Sequence, residues 1–262
     1  MKKLFLVGAG PGDPELITLK AIRVLAAADV VLYDSLVNES LLDYAPPDAI
    51  RRFVGKRFGC HALSQSAIND LIIAYSADRR HIVRLKGGDS FVFGRAHEEI
   101  VAAHSAGMEV EIVPGISSAL AVPASAMIPV TCRGTSESIW VTTGTTQSGD
   151  ISADIELAAR SSATVIILMA MSKLEAIMDI FSRHGKRETP VAIVQNGTTP
   201  QQKMVIGKVK DIAYRAQYAG LANPAIIIVG EVVQLSETIR HANSMQNNMV
   251  SPRSAEMSSP RR

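Results

Sequence analysis

Short apolar runs that each close on glycine recur along the first half of this chain, and they limit its architecture more than any other feature. "KLFLVGAG", "HIVRLKGGD" and "EVEIVPG" are too short for stable helices and run straight into turn residues, which marks them as buried strands. "VVLYD" is a fourth. Helical patterns lie between them, over 15–28 ending in "LAAAD", over 64–77 with Ser64 placed to cap, and over 94–106. Strand and helix alternate with little room for hairpins. The spacing therefore predicts a mostly parallel sheet covered by helices, with ligands outside the carboxyl ends of its strands.

The regular pattern breaks at "PGISSALAVPASAMIPV", rich in small residues and punctuated by proline, and the domain junction is placed there. The expected division is an N-terminal α/β domain over 1–115 and a second α/β domain over 116–240. Candidate strands in the second are "SIWVTTG", "ATVIILMA", "TPVAIVQNG", "QKMVIGKV" and "PAIIIVGEVV", with helices near 153–160, 172–184 and 208–219. Gln202 to Val209 follows the preceding strand after a short loop and can pair with it antiparallel, so this sheet is expected to be mixed. Residues 241–262, "HANSMQNNMVSPRSAEMSSPRR", lack apolar periodicity and read as a disordered tail.

A chain of 262 residues can bury one large core or two smaller ones. No apolar run reaches membrane-spanning length, and the run in "MKKLFLVGAG" is too short for a signal-peptide core, so a cytoplasmic protein is expected. Cys60 and Cys132 have no metal-ligand spacing, and the histidines form no HxxxH or HxH pair; no metal site is expected. A net charge of only +2 argues against a broad nucleic-acid surface and leaves room for a local anion pocket.

The first turn, "VGAGPGDPELITLK", invites comparison with a dinucleotide-binding loop and fails it. Gly8 and Gly10 stand in the right places, but Asp13 occupies the third glycine position and Gly12 comes one residue early. Pro11 and Pro14 also remove two backbone donors that a pyrophosphate would need. Further glycine turns follow in "RLKGGDSF", "VPGISS" and "VQNGTT", and the four can converge on a cleft between the two domains. Asp34, closing the strand in "LYDSLV", suits a ribose-binding acid, a helix cap or a general base. Lys56 and Arg57 fall in a loop, where solvated charge is as natural a reading as function.

Taken in order, "VGAGPGDPELITLKA", "VVLYDSLV", "VGKR", "VRLKGGDSFVFGR", "VPGISSALAVPASAMIPVT", "PVAIVQNGT" and "PAIIIVG" resemble the uroporphyrinogen-III C-methyltransferases of the tetrapyrrole methylase superfamily, the class III S-adenosylmethionine-dependent methyltransferases. The resemblance extends to about Leu235. Later corrin methylases share the first turn and "PGI", whereas "YDSLV", "VGKR" and "GGDSFVFGR" favour the uroporphyrinogen branch. The resemblance implies a homodimer of two-domain α/β subunits with S-adenosylmethionine in an interdomain cleft. It assigns cofactor contacts to Pro11, Gly87, Gly88, Asp89, Val92, Ser117, Ser118, Met169, Gly197 and Ala225.

The implied reaction methylates uroporphyrinogen III twice, at C2 and C7, giving precorrin-2 and two S-adenosylhomocysteine for sirohaem, haem d1 or cobalamin synthesis. Each attack on the sulfonium methyl leaves a cationic ring that must lose a proton. The family assigns proton acceptor and donor to positions matching Asp34 and Lys56, with Arg95 and Glu98 as rivals for the proton step. Arg95 and Arg133 suit substrate binding, because a substrate with eight carboxylates is naturally held by guanidinium groups. The sequence departs from the family pattern at Ser35, Ser90, Ala96, His97, Cys132 and Thr145, most of them on the expected substrate side.

Overall fold

The computed structural model describes residues 2–55 and 63–239; Lys56 and the segment 241–262 lie outside the described residues. The chain divides into two compact units. The first comprises Met1–Val122, Val194–Lys203 and Leu221–Ile226, and the second Pro123–Ile193, Met204–Gly220 and the chain from Ile227 onward.

In the first unit β1 (Lys3–Gly8), β2 (Val30–Tyr33), β3 (Ile50–Phe53), β4 (His81–Lys86) and β5 (Glu109–Val113) form one sheet in the order β3-β2-β4-β1-β5. Every pairing in it is parallel, as the alternation of strand and helix requires. Helices α1 (Leu19–Leu25), α2 (Gln65–Tyr75) and α3 (Ala96–Ser105) fall between the strands. Ser64 caps α2, its Oγ accepting from the Ala67 N–H at 3.1 Å.

Two details differ from the sequence reading. The helix expected over 15–28 is interrupted: Pro14–Leu16 form a 3-10 turn, Ile17 and Thr18 are extended, and Thr18 then caps α1 by accepting from the Ala21 N–H. Strand β3 was not anticipated. Its sequence, "IRRF", sits on the sheet edge with both arginines exposed, so it lacks the apolar run that betrays a buried strand.

Side-chain alternation sorts the strand residues onto two faces. Val7, Val31, Val83 and Leu85 pack with Ala21, Leu25 and Leu41 on one. Leu4, Leu6, Val30, Leu32 and Ile82 pack with Ile68, Ile72 and Ala103, from α2 and α3, on the other. Full burial of each Leu, Ile or Val contributes about 1.5–3 kcal/mol, so both layers hold the sheet and fix the position of its carboxyl edge.

After β5 the chain enters α4 (Ser118–Ser125), so the small-residue segment is in part helical, with Pro123 inside. In the sheet that follows, β6 (Ile139–Thr143), β7 (Thr164–Leu168), β8 (Pro190–Gln195), β9 (Lys203–Lys208) and β10 (Ala225–Val229) take the order β6-β7-β10-β8-β9. Strand β7 pairs parallel with β6 and antiparallel with β10, so the sheet is mixed. Helices α5 (Asp154–Arg160), α6 (Leu174–Arg183) and α7 (Ile212–Tyr218) accompany it. Among the described residues no helix is long and apolar enough to cross a membrane.

Candidate functional site

Because β1, β2, β4 and β5 run parallel, their carboxyl ends share one edge, and three of the glycine turns meet there. The Gly88 N–H donates to the Gly10 carbonyl at 2.7 Å and the Gly10 N–H returns a bond to the Gly88 carbonyl at 3.2 Å. Gly10 and Gly88 both take left-handed φ, of +82° and +68°, which glycine adopts without a Cβ penalty. A Cβ on Gly8 would lie 2.5 Å from the Gly115 Cα, and one on Gly115 would lie 2.3 Å from the Gly88 carbonyl oxygen. The three turns thus touch through bare backbone.

Asp89 stitches two of them together. Its Oδ1 accepts from the Phe91 N–H at 2.8 Å and its Oδ2 from the Gly115 N–H at 2.9 Å, which leaves lone pairs on both oxygens for a ligand. The Val92 N–H donates to the Asp89 carbonyl, turning the chain back. Phe93 and Arg95 follow with φ of 53° and 55°, a conformation that costs non-glycine residues energy and is concentrated at working parts of proteins. Ser90, beneath this turn, is wholly buried, and its hydroxyl has no hydrogen-bond partner among the described residues.

The fourth turn joins the first. The Asp13 N–H donates to Thr198 Oγ1 at 3.2 Å, and Asn38 Nδ2 donates to the Gly12 carbonyl at 3.1 Å. Gly197 lies against α4, where a Cβ would come within 2.4 Å of Val122 Cγ1. The Asn196 N–H donates to the Pro224 carbonyl, next to Ala225. Ser117 opens α4, its Oγ accepting from the Ala119 N–H at 3.3 Å and its carbonyl from Leu120 and Ala121, with Ser118 as the first helical residue. Pro11, Gly87, Gly88, Asp89, Val92, Ser117, Ser118, Gly197 and Ala225 therefore all sit on turns or element ends of the first unit.

Met169 and Arg133 belong to the second unit. Met169 follows β7 with a left-handed φ of 53°, an exposed side chain, and a carbonyl that accepts from Thr145 Oγ1. Arg133 is exposed in a turn closed by reciprocal backbone bonds between Cys132 and Ser136, both 2.8 Å.

The electrostatic centre of the first unit lies beside Asp34. Asp34 Oδ1 accepts from the Leu36 N–H at 3.0 Å, and Oδ2 stands 3.6 Å from Arg84 Nη2. Arg84 is buried and donates through Nε to Glu99 Oε1 at 3.1 Å and through Nη1 to the Leu85 and Leu32 carbonyls at 2.9 and 3.4 Å. Lys86 Nζ donates to both Glu99 oxygens, at 3.0 and 2.9 Å. Burial pulls the Lys86 ammonium below the usual lysine range, with Glu99 opposing that shift and Arg84 reinforcing it. Sequence reasoning passed over Arg84, Lys86 and Glu99. The available signal was two basic residues at alternate positions of a strand flanked by other strands, which commits both to a buried face and demands a carboxylate there.

Arg95 and Glu98 are occupied with each other, in a two-pronged pair of 2.8 and 2.8 Å on exposed side chains. The hydrogen bond from Arg95 holds the Glu98 carboxyl below its usual range, and the same bond raises the Arg95 guanidinium. Among the described residues no three His, Cys, Asp or Glu side chains are grouped to hold a metal ion.

Residues 3–213 match the family model of the tetrapyrrole (corrin/porphyrin) methylases. A uroporphyrinogen-III C-methyltransferase of Methanocaldococcus jannaschii is 42% identical over 238 residues, covering 90% of this chain and 98% of that one. An S-adenosyl-L-methionine-dependent uroporphyrinogen III methyltransferase of Methanosarcina barkeri is 40% identical over 242 residues, covering 90% and 94%. Among solved structures, the uroporphyrin-III C-methyl transferase from Thermus thermophilus complexed with S-adenyl homocysteine superposes with a TM-score of 0.77 at 36% identity, covering 89% of this chain and 99% of that one.

Proposed function

This chain belongs to the tetrapyrrole methylase family, and from that premise we propose that it is a uroporphyrinogen-III C-methyltransferase. It moves methyl groups from S-adenosylmethionine to C2 and C7 of uroporphyrinogen III, giving precorrin-2 and two S-adenosylhomocysteine for sirohaem, haem d1 or cobalamin synthesis. The observation that carries this reading is the end-to-end match to enzymes of that name, which leaves no large part of either chain unmatched.

The first-unit turns suit the cofactor chemically. A molecule with an amino group, a carboxylate and ribose hydroxyls needs acceptors and donors at close range. Asp89 supplies lone pairs, Gly87 and Gly88 supply half-exposed backbone, and the Ser90 hydroxyl, which has no partner among the described residues, lies buried beside them. Pro11, Val92, Ser117, Ser118, Gly197 and Ala225 are proposed to line the same site, and Met169 is proposed as an apolar contact of the cofactor. When bound, S-adenosylmethionine supplies an electrophilic methyl group, so the residues around it need chiefly to orient the pyrrole carbon and exclude water.

Asp34 is proposed as the proton acceptor, with Lys56 as the donor. Asp34 is preferred over Glu98 because Glu98 and Arg95 already satisfy each other and must separate before either can act. Arg95 and Arg133 are proposed to hold substrate carboxylates, and the working unit is proposed to be a cytoplasmic homodimer.

Anaerobic incubation with uroporphyrinogen III and labelled S-adenosylmethionine, followed by mass analysis of the tetrapyrrole, tests the reading. Two added methyl groups are expected. Asp34→Asn should reduce turnover by about 10²–10⁴-fold, the usual worth of a general base, while S-adenosylhomocysteine still binds. A tetrapyrrole of unchanged mass would overturn the functional assignment, and undiminished turnover in Asp34→Asn would overturn the role of that residue.

A further inference from the structure

The buried charges behind Asp34 are more than a fold requires. Burying an ion network is a poor way to stabilise a protein, since the desolvation cost consumes most of the attraction. What this network does is immobilise one guanidinium. Strand register puts Leu32 of β2 directly against Arg84 of β4, and alternation puts Leu32, Asp34, Arg84 and Lys86 toward the α2 and α3 face. Three of the guanidinium's directions are fixed: Nη1 lies on the Leu32 and Leu85 carbonyls, and Nε lies on Glu99. Nη2 is left facing Asp34 at 3.6 Å.

Glu99 is in turn held by Lys86 on both oxygens and by Gln65 Nε2 at 3.3 Å on one. Two cations against one carboxylate leave this buried cluster one positive charge in excess, and Asp34 is the group that balances it. Asp34 is also fixed from its own turn by the Leu36 N–H. Its carboxylate is thereby restrained at both oxygens.

We propose that Arg84 is a positioning residue for Asp34, and that the buried Lys86–Glu99 pair serves to hold the Arg84 guanidinium at the angle that does this. The inference rests on Asp34 being the proton acceptor of the methylation. Arg84 touches no reacting atom; it acts by fixing where the carboxylate stands. Lys86 and Glu99 act one step further back, as a neutral pair that anchors Nε.

A double-mutant cycle on turnover tests it, using the full-length protein with uroporphyrinogen III and labelled S-adenosylmethionine. Arg84→Met removes the cation facing Asp34 and leaves the Lys86–Glu99 pair neutral and intact. It should lower kcat by about 10–100-fold, the scale of a displaced catalytic group. The KM for S-adenosylmethionine and the affinity for S-adenosylhomocysteine should stay within about twofold. In an Asp34→Asn background, whose slow turnover is followed by label in product over hours, Arg84→Met should cost no more than about twofold. Arg84→Lys, which keeps the charge without the fork, should recover part of the loss.

Equal losses in the two backgrounds would overturn the proposal while leaving Asp34 as acceptor. Undiminished turnover in Asp34→Asn would overturn Asp34 as acceptor and the proposal with it, and no methylation by the wild type would overturn the functional reading as well. If Arg84→Met does not fold, the paired change Lys86→Met with Glu99→Met goes through the same cycle. It keeps Arg84 and Asp34 as a balanced pair and removes only the anchor. A kcat loss confined to the Asp34 background is again expected, and an equal loss in both again refutes.

Discussion

Gly115→Ala isolates the contact on which the site's geometry depends. Gly115 does not take a left-handed φ, so alanine is conformationally acceptable and its whole effect is one of space. The new Cβ would lie 2.3 Å from the Gly88 carbonyl oxygen and 2.7 Å from the Gly8 Cα, where ordinary contact begins at 3.4 Å. The turns must therefore separate by about 1 Å, and since the obstructing atoms are backbone, no rotamer change relieves them; overpacking of this kind costs about 1–3 kcal/mol. In a chain of this size each kcal/mol lowers the melting temperature by about 2–4 °C. The Gly115 N–H also donates to Asp89 Oδ2, so the same movement displaces the carboxylate proposed to meet the cofactor. A displacement of 1 Å at a reacting site costs about 10²-fold in rate. Thermal melting, calorimetry with S-adenosylhomocysteine and the methylation assay should all report the damage. Gly207→Ala is the control, because its Cβ meets only side-chain atoms of Asp211 and Arg215, which can move. Wild-type melting and wild-type S-adenosylhomocysteine affinity in Gly115→Ala would refute the idea that these turns are held in rigid backbone contact.

Two further outcomes follow from the same physical chemistry. Ser90→Ala removes a buried hydroxyl that has no partner among the described residues, so the melting temperature of the ligand-free protein should hold or rise; a fall of several degrees would mean that the hydroxyl is bonded after all. Glu111 receives hydrogen bonds from Lys20 and Lys3, each at 2.7 Å, which hold its carboxyl down to about 2 from an ordinary 4.5. A depressed carboxyl contributes stability that is fully present above pH 4.5 and lost as pH falls toward 2. The melting advantage of wild type over Glu111→Gln should accordingly be constant near neutrality and close across that interval, and an advantage that persists at pH 2 would contradict the assignment.

The plainest strands in the sequence were those with the most nearly continuous burial. "VVLY" and "KLFLVG" could be read because burial along most of a strand writes itself as an apolar run. β3 could not, because an edge strand with two exposed arginines carries no such run. The turns were legible for a related reason. A glycine that approaches another backbone to within 2.3 Å of its would-be Cβ has no substitute, so "VGAG", "KGGD" and "VPG" mark the places where strand ends crowd together. The roles of charged residues were harder to see. Arg95 and Glu98 stood out by motif, yet they are paired on exposed side chains, whereas Glu99, one residue on, is wholly buried. One position along a helix turns a side chain by about 100°, and only the packing of α3 against the sheet decides which of two adjacent glutamates faces inward.

That adjacency shows how the fold divides its labour. The parallel sheet gathers the carboxyl ends of four strands on one edge, but backbone turns offer only amides, carbonyls and space. Proton transfer needs a carboxylate in a fixed place, and a loop residue such as Asp34 cannot be fixed by its own turn alone. The strand beside it supplies the restraint: β4 runs in register with β2, ends one residue before Gly87, and carries Arg84 on the face shared with Asp34. A hydrophobic residue at Arg84 would pack as well and restrain nothing. The energetic cost of burying a guanidinium there is met by Glu99 and by the Leu32 and Leu85 carbonyls, while Lys86 adds a second positive charge, so the network is neutral only when Asp34 is counted with it.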